Sequence, residues 1–402
     1  MAVASDVDRI LARAVEAGVV PGVVALAAGD SGIVYEGAFG RRELSADAPM
    51  TADTVMWIAS MTKPVTSVAV LQLVEQGRVE LEAPLGEWIP ELASLQVLEG
   101  FDEAGVPRLR PARNPVNLRQ LLTHTAGFGY HLFNPDVVRY LDYTGIPDVG
   151  QCKNATLLTP LVCEPGERFE YGINIDWVGK IVERLSGQSL EDYFREHIFG
   201  PLQMNDSGFL LRPEQRTRLA GMHQRQPDGT LVAREFEMSQ QPEFFMGGGG
   251  LYSTGADYLR FLRLLMGGGQ LDGVRLLRSE TVAAMGTNHI GALSLGRVPS
   301  AMPSDTNEFE FFPGLDKKWG LASMITMEEA PTGRSAGSLA WGGLANTYFW
   351  VDPHRRVTGL FMTQILPFAD PHVLNLFERF EREIYAGRAA NSTRLPGVSS
   401  PR

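Results

Sequence analysis

The sequence predicts an α/β (α+β) fold built as two lobes, one of them assembled from both ends of the chain. Three observations carry this. An alternating apolar hairpin lies near the N-terminus, two strand-like runs joined by a tight turn lie near the C-terminus, and the stretch between keeps a helical period. Strand hairpins at both ends around a helical middle assign residues 1–77 and 241–388 to a discontinuous α/β lobe and residues 78–240 to an inserted helical lobe. At 402 residues the chain is long enough to bury a core in each.

The elements follow in order. The first residues read as an amphipathic helix, with Ile10, Leu11, Ala14 and Val15 on one face; Asp6, Asp8 and Arg9 interrupt any signal-peptide core. GVVALAAGDSGIVYEGAFG reads as a hairpin with its turn at Gly29-Asp30-Ser31-Gly32. VTSVAVLQLVEQG, from Val65, is apolar on every side and reads as a buried helix ending near Gly77. In the middle region, LRQLLTH (118–124) and IDWVGKIVERLSG (175–187) keep a helical period through Leu118, Leu121 and Leu122, then Ile175, Val178, Ile181, Val182 and Leu185. The four glycines at 247–250 interrupt the pattern, and GADYLRFLRLLM resumes a helix. TYFWVDP and RRVTGLFMTQI are strands around a turn at Asp352, DPHVLNLFERFEREIYAG closes the fold as a helix, and 389–402 read as a disordered tail.

Composition narrows the function. Apolar content of 44% and charged content of 21% are those of a globular protein. A net charge of −11 argues against nucleic acid or an anionic membrane surface as partner, and no apolar run is long enough to span a bilayer. Two cysteines, Cys152 and Cys163, exclude a disulfide scaffold and fit a reducing cytoplasm, while their spacing leaves a single bridge open. No histidine pattern has metal-ligand spacing, and the glycine runs lack the lysine or the periodicity of a nucleotide loop, so neither metal nor cofactor is expected. Oligomeric state has no signal in the sequence.

The chemistry concentrates in three motifs. Ser60-Met61-Thr62-Lys63 opens the buried helix, and positions i and i+3 share a face, so Lys63 can reach the Ser60 hydroxyl. A serine is a weak nucleophile until a neighbour takes its proton. The positive end of the helix helps keep the lysine deprotonated. Tyr171, in Tyr171-Gly172-Ile173-Asn174, can act as general base beside a lysine, because a cation favours the phenolate. In Trp341-Gly342-Gly343-Leu344 the glycines allow a substrate close to a strand edge, where a backbone N–H together with that of Ser60 can form an oxyanion hole.

These motifs, in this order and spacing, resemble the serine β-lactamase and penicillin-binding protein superfamily, in which S-x-x-K is paired with S-D-N and K-T-G. Here Tyr171 stands for the second motif and Trp341-Gly342-Gly343 for the third, a departure that resembles the family VIII carboxylesterases. Residues 97–110, 118–128 and 169–187 are similar to the fungal acyltransferases of the lovastatin side chain, of the same group. The resemblance runs from about residue 5 to 387. It implies an antiparallel sheet flanked by helices. It implies Ser60 as the acylated nucleophile, Lys63 as the group sharing its proton, and Tyr171 as base and then acid. The Ser60 and Leu344 amides form the implied oxyanion hole, with Trp341, Gly342, Gly343 and Asn174 at the substrate. Asn174 departs from the family spacing by one residue, since Ile173 holds the expected place. Trp341 cannot pair a substrate carboxylate as the lysine of K-T-G does. The implied activity is therefore a serine carboxylesterase acting on short-chain neutral esters, with an alcohol as alternative acyl acceptor. The rival is a cephalosporin-hydrolysing β-lactamase or a β-lactam-binding protein that does not turn over.

One decoy competes. Gly333-Arg334-Ser335-Ala336-Gly337 matches the G-x-S-x-G elbow of α/β-hydrolases, with Asp352 and His354 or Asp370 and His372 as conceivable partners. An elbow leads into a helix, whereas Ser335 leads into SLAWGG, which reads as a strand. His124, at a helix end, reads as a structural cap.

Overall fold

The hairpins expected at the two ends of the chain close on each other. The computed structural model describes residues 2–321 and 323–392. Its main sheet has seven strands: β1 (Gly22–Gly29), β2 (Gly32–Gly40), β3 (Lys317–Trp319), β4 (Met324–Thr326), β5 (Ser338–Gly343), β6 (Thr347–Asp352) and β7 (Val357–Met362). They run in the order β3-β4-β5-β6-β7-β1-β2, every neighbouring pair antiparallel. The joint between the two chain ends is the β1–β7 pair, with Leu26 opposite Leu360.

Six helices cover the sheet or build the site: α1 (Ala2–Glu16), α2 (Thr62–Glu75), α3 (Leu118–Leu122), α4 (Asn174–Ser186), α5 (Gly255–Met266) and α6 (Pro371–Ser392). Strands β1, β5, β6 and β7 are buried along their whole length, because helices cover both faces. Side chains alternate across the sheet. Tyr348 stacks on Phe377 of α6 and Trp350 meets Phe380, while Phe349 between them faces Tyr258 of α5. Each fully buried side chain of this kind stabilises the fold by roughly 1.5–3 kcal/mol relative to exposure.

The middle of the chain is less purely helical than its periodicity suggests. Gln96–Phe101 pairs with Pro107–Pro111, and Met222–Arg225 pairs with Leu231–Arg234. The second hairpin also takes Ile365–Leu366 as a parallel third strand, which ties residues 222–234 to the C-terminal part of the fold. Helix α6 continues through 389–392; the remainder of the expected tail, 393–402, lies outside the described residues. Cys152 and Cys163 are both buried and free. No described helix is long and apolar enough to cross a membrane.

Candidate active site

The site begins with a strained backbone. Ala59 has φ of 44°, in the left-handed region that costs a non-glycine residue of order 1–3 kcal/mol. It leads into one 3-10 turn, Ala59–Met61, and then into α2, so Ser60 sits just ahead of the helix proper. Thr62 Oγ1 ties the turn down, donating to Ala59 O at 2.7 Å and accepting from Leu251 N at 3.1 Å. The end of β5 presses against the same turn. A Cβ on Gly343 would lie 2.2 Å from Ile58 O, so only glycine permits the approach.

Lys63 is fully buried, with Nζ 3.0 Å from Ser60 Oγ. The amine donates to Gly248 O at 2.6 Å and to Tyr130 OH at 3.3 Å. Gly248 belongs to the four-glycine segment, which lies along α2 and offers its carbonyls to it: Gly247 O accepts from Thr66 Oγ1 at 2.7 Å, and Gly249 O accepts from the indole of Trp57 at 2.7 Å. Asp176, in the first turn of α4, completes the ring. Its Oδ1 accepts from Gly248 N at 2.8 Å and its Oδ2 from Tyr130 OH at 3.3 Å. Burial pulls the Lys63 amine down to about 7, with the charge of Asp176 opposing the shift. Burial likewise raises the Asp176 carboxyl to about 6 against the pull of Lys63. The cause of the lowered amine is thus desolvation more than the helix end.

Tyr171 arrives from the segment that precedes α4. Its oxygen pairs with Ser60 and accepts from Trp341 Nε1 at 2.9 Å, and Lys63 Nζ stands 4.7 Å from its ring centre. Burial raises the phenol above its ordinary value, and the hydrogen bonds from Ser60 and Trp341 offset only part of this. The resting phenol is neutral, against the expectation that the cation favours a phenolate. His124 packs tilted beside it, ring centres 4.6 Å apart. Burial first, then the Lys63 charge, push His124 well below the ordinary imidazole range, and its Nδ1 accepts from Asn174 Nδ2 at 3.0 Å and from Gly172 N at 3.4 Å. It caps the backbone that presents Tyr171.

Ser60, Tyr130, Tyr171 and Trp341 open from this cluster onto a cavity of about 360 Å³, lined also by Gly342 and Leu344, with Trp57, Phe133, Met246 and Phe309 in its walls; Lys63, Asp176 and His124 lie behind it. Two expected substrate residues lie elsewhere. Asn174 is fully buried and its NH2 is shared among His124 Nδ1, Phe128 O and Glu170 O, so its donor end is spent on holding the loop. Gly343 packs on Ile58 and does not line the cavity. Ser335 is also remote: its N–H donates to Asp352 and its hydroxyl accepts from Arg355 Nε at 3.2 Å. Asp352 and Asp370 accept backbone N–H groups at His354 and His372, so neither pair forms a relay to it. The adjoining Arg334 makes a buried two-point ion pair with Glu381 of α6, which accounts for this glycine-rich turn.

Sequence reasoning missed Tyr130 and Asp176. Asp176 had a signal, an acid set among the apolar residues Ile175, Trp177 and Val178 in the first turn of the helix. Tyr130 had none, since FGYHLF reads as core.

Residues 7–382 match the Beta-lactamase family. The chain belongs to that family. Its beta-lactamase fold extends to close relatives of known structure: unliganded simvastatin synthase (LovD) from Aspergillus terreus superposes with a TM-score of 0.82 at 31% identity, covering 96% of this chain and 99% of that one. Monacolin J acid methylbutanoyltransferase of Aspergillus terreus is 33% identical over 393 residues, 93% of this chain and 94% of the relative. Lovastatin esterase of Penicillium rubens is 30% identical over 393 residues, 94% and 97% of the two chains. EstCE1, a hydrolase with promiscuous acyltransferase activity, shares the fold with a TM-score of 0.76 at 22% identity. This beta-lactamase relative is an enzyme of the hydrolase and acyltransferase kind.

Proposed function

We propose that the protein is a family VIII-type serine carboxylesterase that cleaves short-chain neutral esters through a Ser60 acyl-enzyme and passes the acyl group to water or to an alcohol. The observation that carries this is the Ser60–Lys63–Tyr171 cluster, with Ser60 and Tyr171 facing a mostly apolar cavity and Lys63 buried behind them. An amine lowered to about 7 is part neutral at working pH and can take the Ser60 proton as the hydroxyl attacks the ester carbonyl. Lys63 keeps that proton, and Tyr171, which touches Ser60 and receives the Trp341 N–H, can give its own phenol proton to the departing alkoxide and become a phenolate. In the second half the phenolate takes the proton of the water or alcohol that attacks the acyl group, and Lys63 returns its proton to Ser60 as that group leaves. The Ser60 and Leu344 amides are the donors we assign to the oxyanion, at the turn where β5 meets α2.

Specificity for neutral esters follows from charge. Trp341 brings no cation to the strand edge. Among the described lining residues the basic side chains are Arg234, already bound to Asp305 at 2.7 Å, and His131, whose imidazole burial holds below its ordinary range. The free, buried cysteines, whose thiols burial raises to about 12, suit the cytoplasm as its location. The relatives named as a transferase and an esterase support both fates of the acyl group. The test is kcat/KM for p-nitrophenyl esters of rising chain length, with and without acceptor alcohols, against benzylpenicillin on the same preparation. Comparable values for p-nitrophenyl butyrate and benzylpenicillin, or a single turnover without release, would move the assignment to a β-lactamase or a β-lactam-binding protein.

A further inference from the structure

We propose that Asp176, acting through Tyr130 and Gly248, aims the lone pair of the Lys63 amine at Ser60. This role rests on Ser60 being the nucleophile and extends from it to the group that orients its base. A neutral amine has two N–H donors and one lone pair. Lys63 Nζ has three polar neighbours: Gly248 O, Tyr130 OH and Ser60 Oγ. A carbonyl can only accept, so Gly248 takes one N–H. Tyr130 has one hydrogen, and the Asp176 carboxylate can only accept it, so the Tyr130 oxygen is left to take the second N–H. The lone pair is what remains for Ser60, 3.0 Å away.

The surroundings hold this pattern in place. Gly248 cannot turn its carbonyl away, because its own N–H is bound to Asp176 and the carbonyls on either side are bound to Thr66 and Trp57. A Cβ at Gly248 would stand 2.6 Å from Asp176 Oδ2 and 2.7 Å from Tyr130 OH, so a side chain there breaks the ring. Among the described residues, the titratable groups facing Lys63 are Tyr130, Tyr171, His124 and Asp176. Asp176 is the charged one, and its charge raises the Lys63 pKa against burial. Both bonds through Tyr130 are long at 3.3 Å, so the bond to Gly248 carries more of the restraint.

Asp176→Asn separates orientation from structure. The asparagine oxygen still accepts from Gly248 N, so the backbone keeps its tie. Its NH2 now donates to Tyr130, whose hydrogen turns to Lys63 and occupies the lone pair meant for Ser60. The expected result is a fall of at least ~10-fold in kcat/KM for p-nitrophenyl butyrate, in the range of a displaced general base. The acidic limb of the pH profile should move to lower pH, because the charge that raised the amine is gone. Tyr130→Phe removes the bridging hydroxyl without changing charge; it should lower kcat several-fold and leave the limb in place. Thermal melts and labelling of Ser60 by a fluorophosphonate are run on every variant. A folded Asp176→Asn with wild-type rate and limb, or with a limb moved to higher pH, overturns the inference while Ser60 labelling leaves the esterase reading intact. If that variant does not fold, an unchanged kcat in Tyr130→Phe overturns it. Labelling at a residue other than Ser60 overturns both.

Discussion

Replacing Trp341 by phenylalanine separates two roles that the sequence placed on one side chain. Trp341 lines the cavity, and its indole N–H also donates to Tyr171 at 2.9 Å. Phenylalanine keeps an aromatic wall against Trp319, whose ring centre lies 4.7 Å away, and removes only the donor and part of the volume. The indole bond lowers the Tyr171 pKa, and burial already raises it. Without it the phenolate that forms during proton transfer loses a buried partner. A hydrogen bond to a charged group contributes about 1.5–3 kcal/mol. At roughly 1.4 kcal/mol per decade, kcat should fall about 10- to 150-fold. The loss should be larger for an ethyl ester than for a p-nitrophenyl ester, since a nitrophenolate leaves without help from an acid. The assay is kcat and KM for matched ethyl and p-nitrophenyl butyrates, with product alcohol read by chromatography. A Trp341→Phe enzyme with unchanged kcat and an altered chain-length preference would show that the residue is only a wall.

Further outcomes follow from the same geometry. Ser60→Ala should abolish turnover with the fold retained, whereas Ser335→Ala, at a turn away from the cavity, should keep most activity; the reverse result would reinstate the α/β-hydrolase elbow. Tyr171→Phe and Lys63→Ala should each lower kcat by at least ~10², and the double variant should fall well short of the product of the two losses, because the residues act as one unit with Ser60. Lys63→Met should flatten the dependence of stability on pH. The wild-type amine falls from 10.5 in the unfolded chain to about 7 when folded, so between these values the unfolded state binds the extra proton and wild-type stability drops as pH falls from about 10.5 to 7. The difference in Tm between Lys63→Met and wild type should grow across that window toward neutral pH, and a constant difference would refute the buried-amine account.

Local pattern determined how much of this was legible. The Gly29–Gly32 hairpin, the all-round apolar run of α2 and the strands at Thr347–Asp352 and Val357–Met362 are decided by neighbouring residues, and all formed where periodicity put them. The short strands β3 and β4 were not visible, because three residues give no period to read. Nor was the pairing of Ile365–Leu366 with Met222–Arg225, which joins segments about 140 residues apart. The motifs carried Ser60, Lys63, Tyr171 and Trp341 because i,i+3 spacing and a strand edge are local facts. Asn174 failed for a different reason. Helix α4 starts at that residue, so its side chain points back into the preceding loop and spends its amide on His124 and Phe128.

The four glycines at 247–250 show why a site can hide in plain sequence. Read alone they are a tight loop. In the fold, Gly248 has no room for a side chain against Asp176 and Tyr130, and Gly250 has none against Phe209. The absence of side chains lets a backbone lie against α2 closely enough for three successive carbonyls to reach Thr66, Lys63 and Trp57. A carbonyl has no charge to compete with the amine for its proton, so it can hold Lys63 without raising its pKa as a carboxylate at the same distance would. Asp176, which does raise it, is kept one hydrogen bond further away behind Tyr130 and Gly248. Burial, a neutral acceptor in contact and a carboxylate set back together leave the amine near 7, poised between taking a proton from Ser60 and giving it up. A chain with a side chain at 248 would lose that spacing even with Ser60, Lys63 and Tyr171 unchanged.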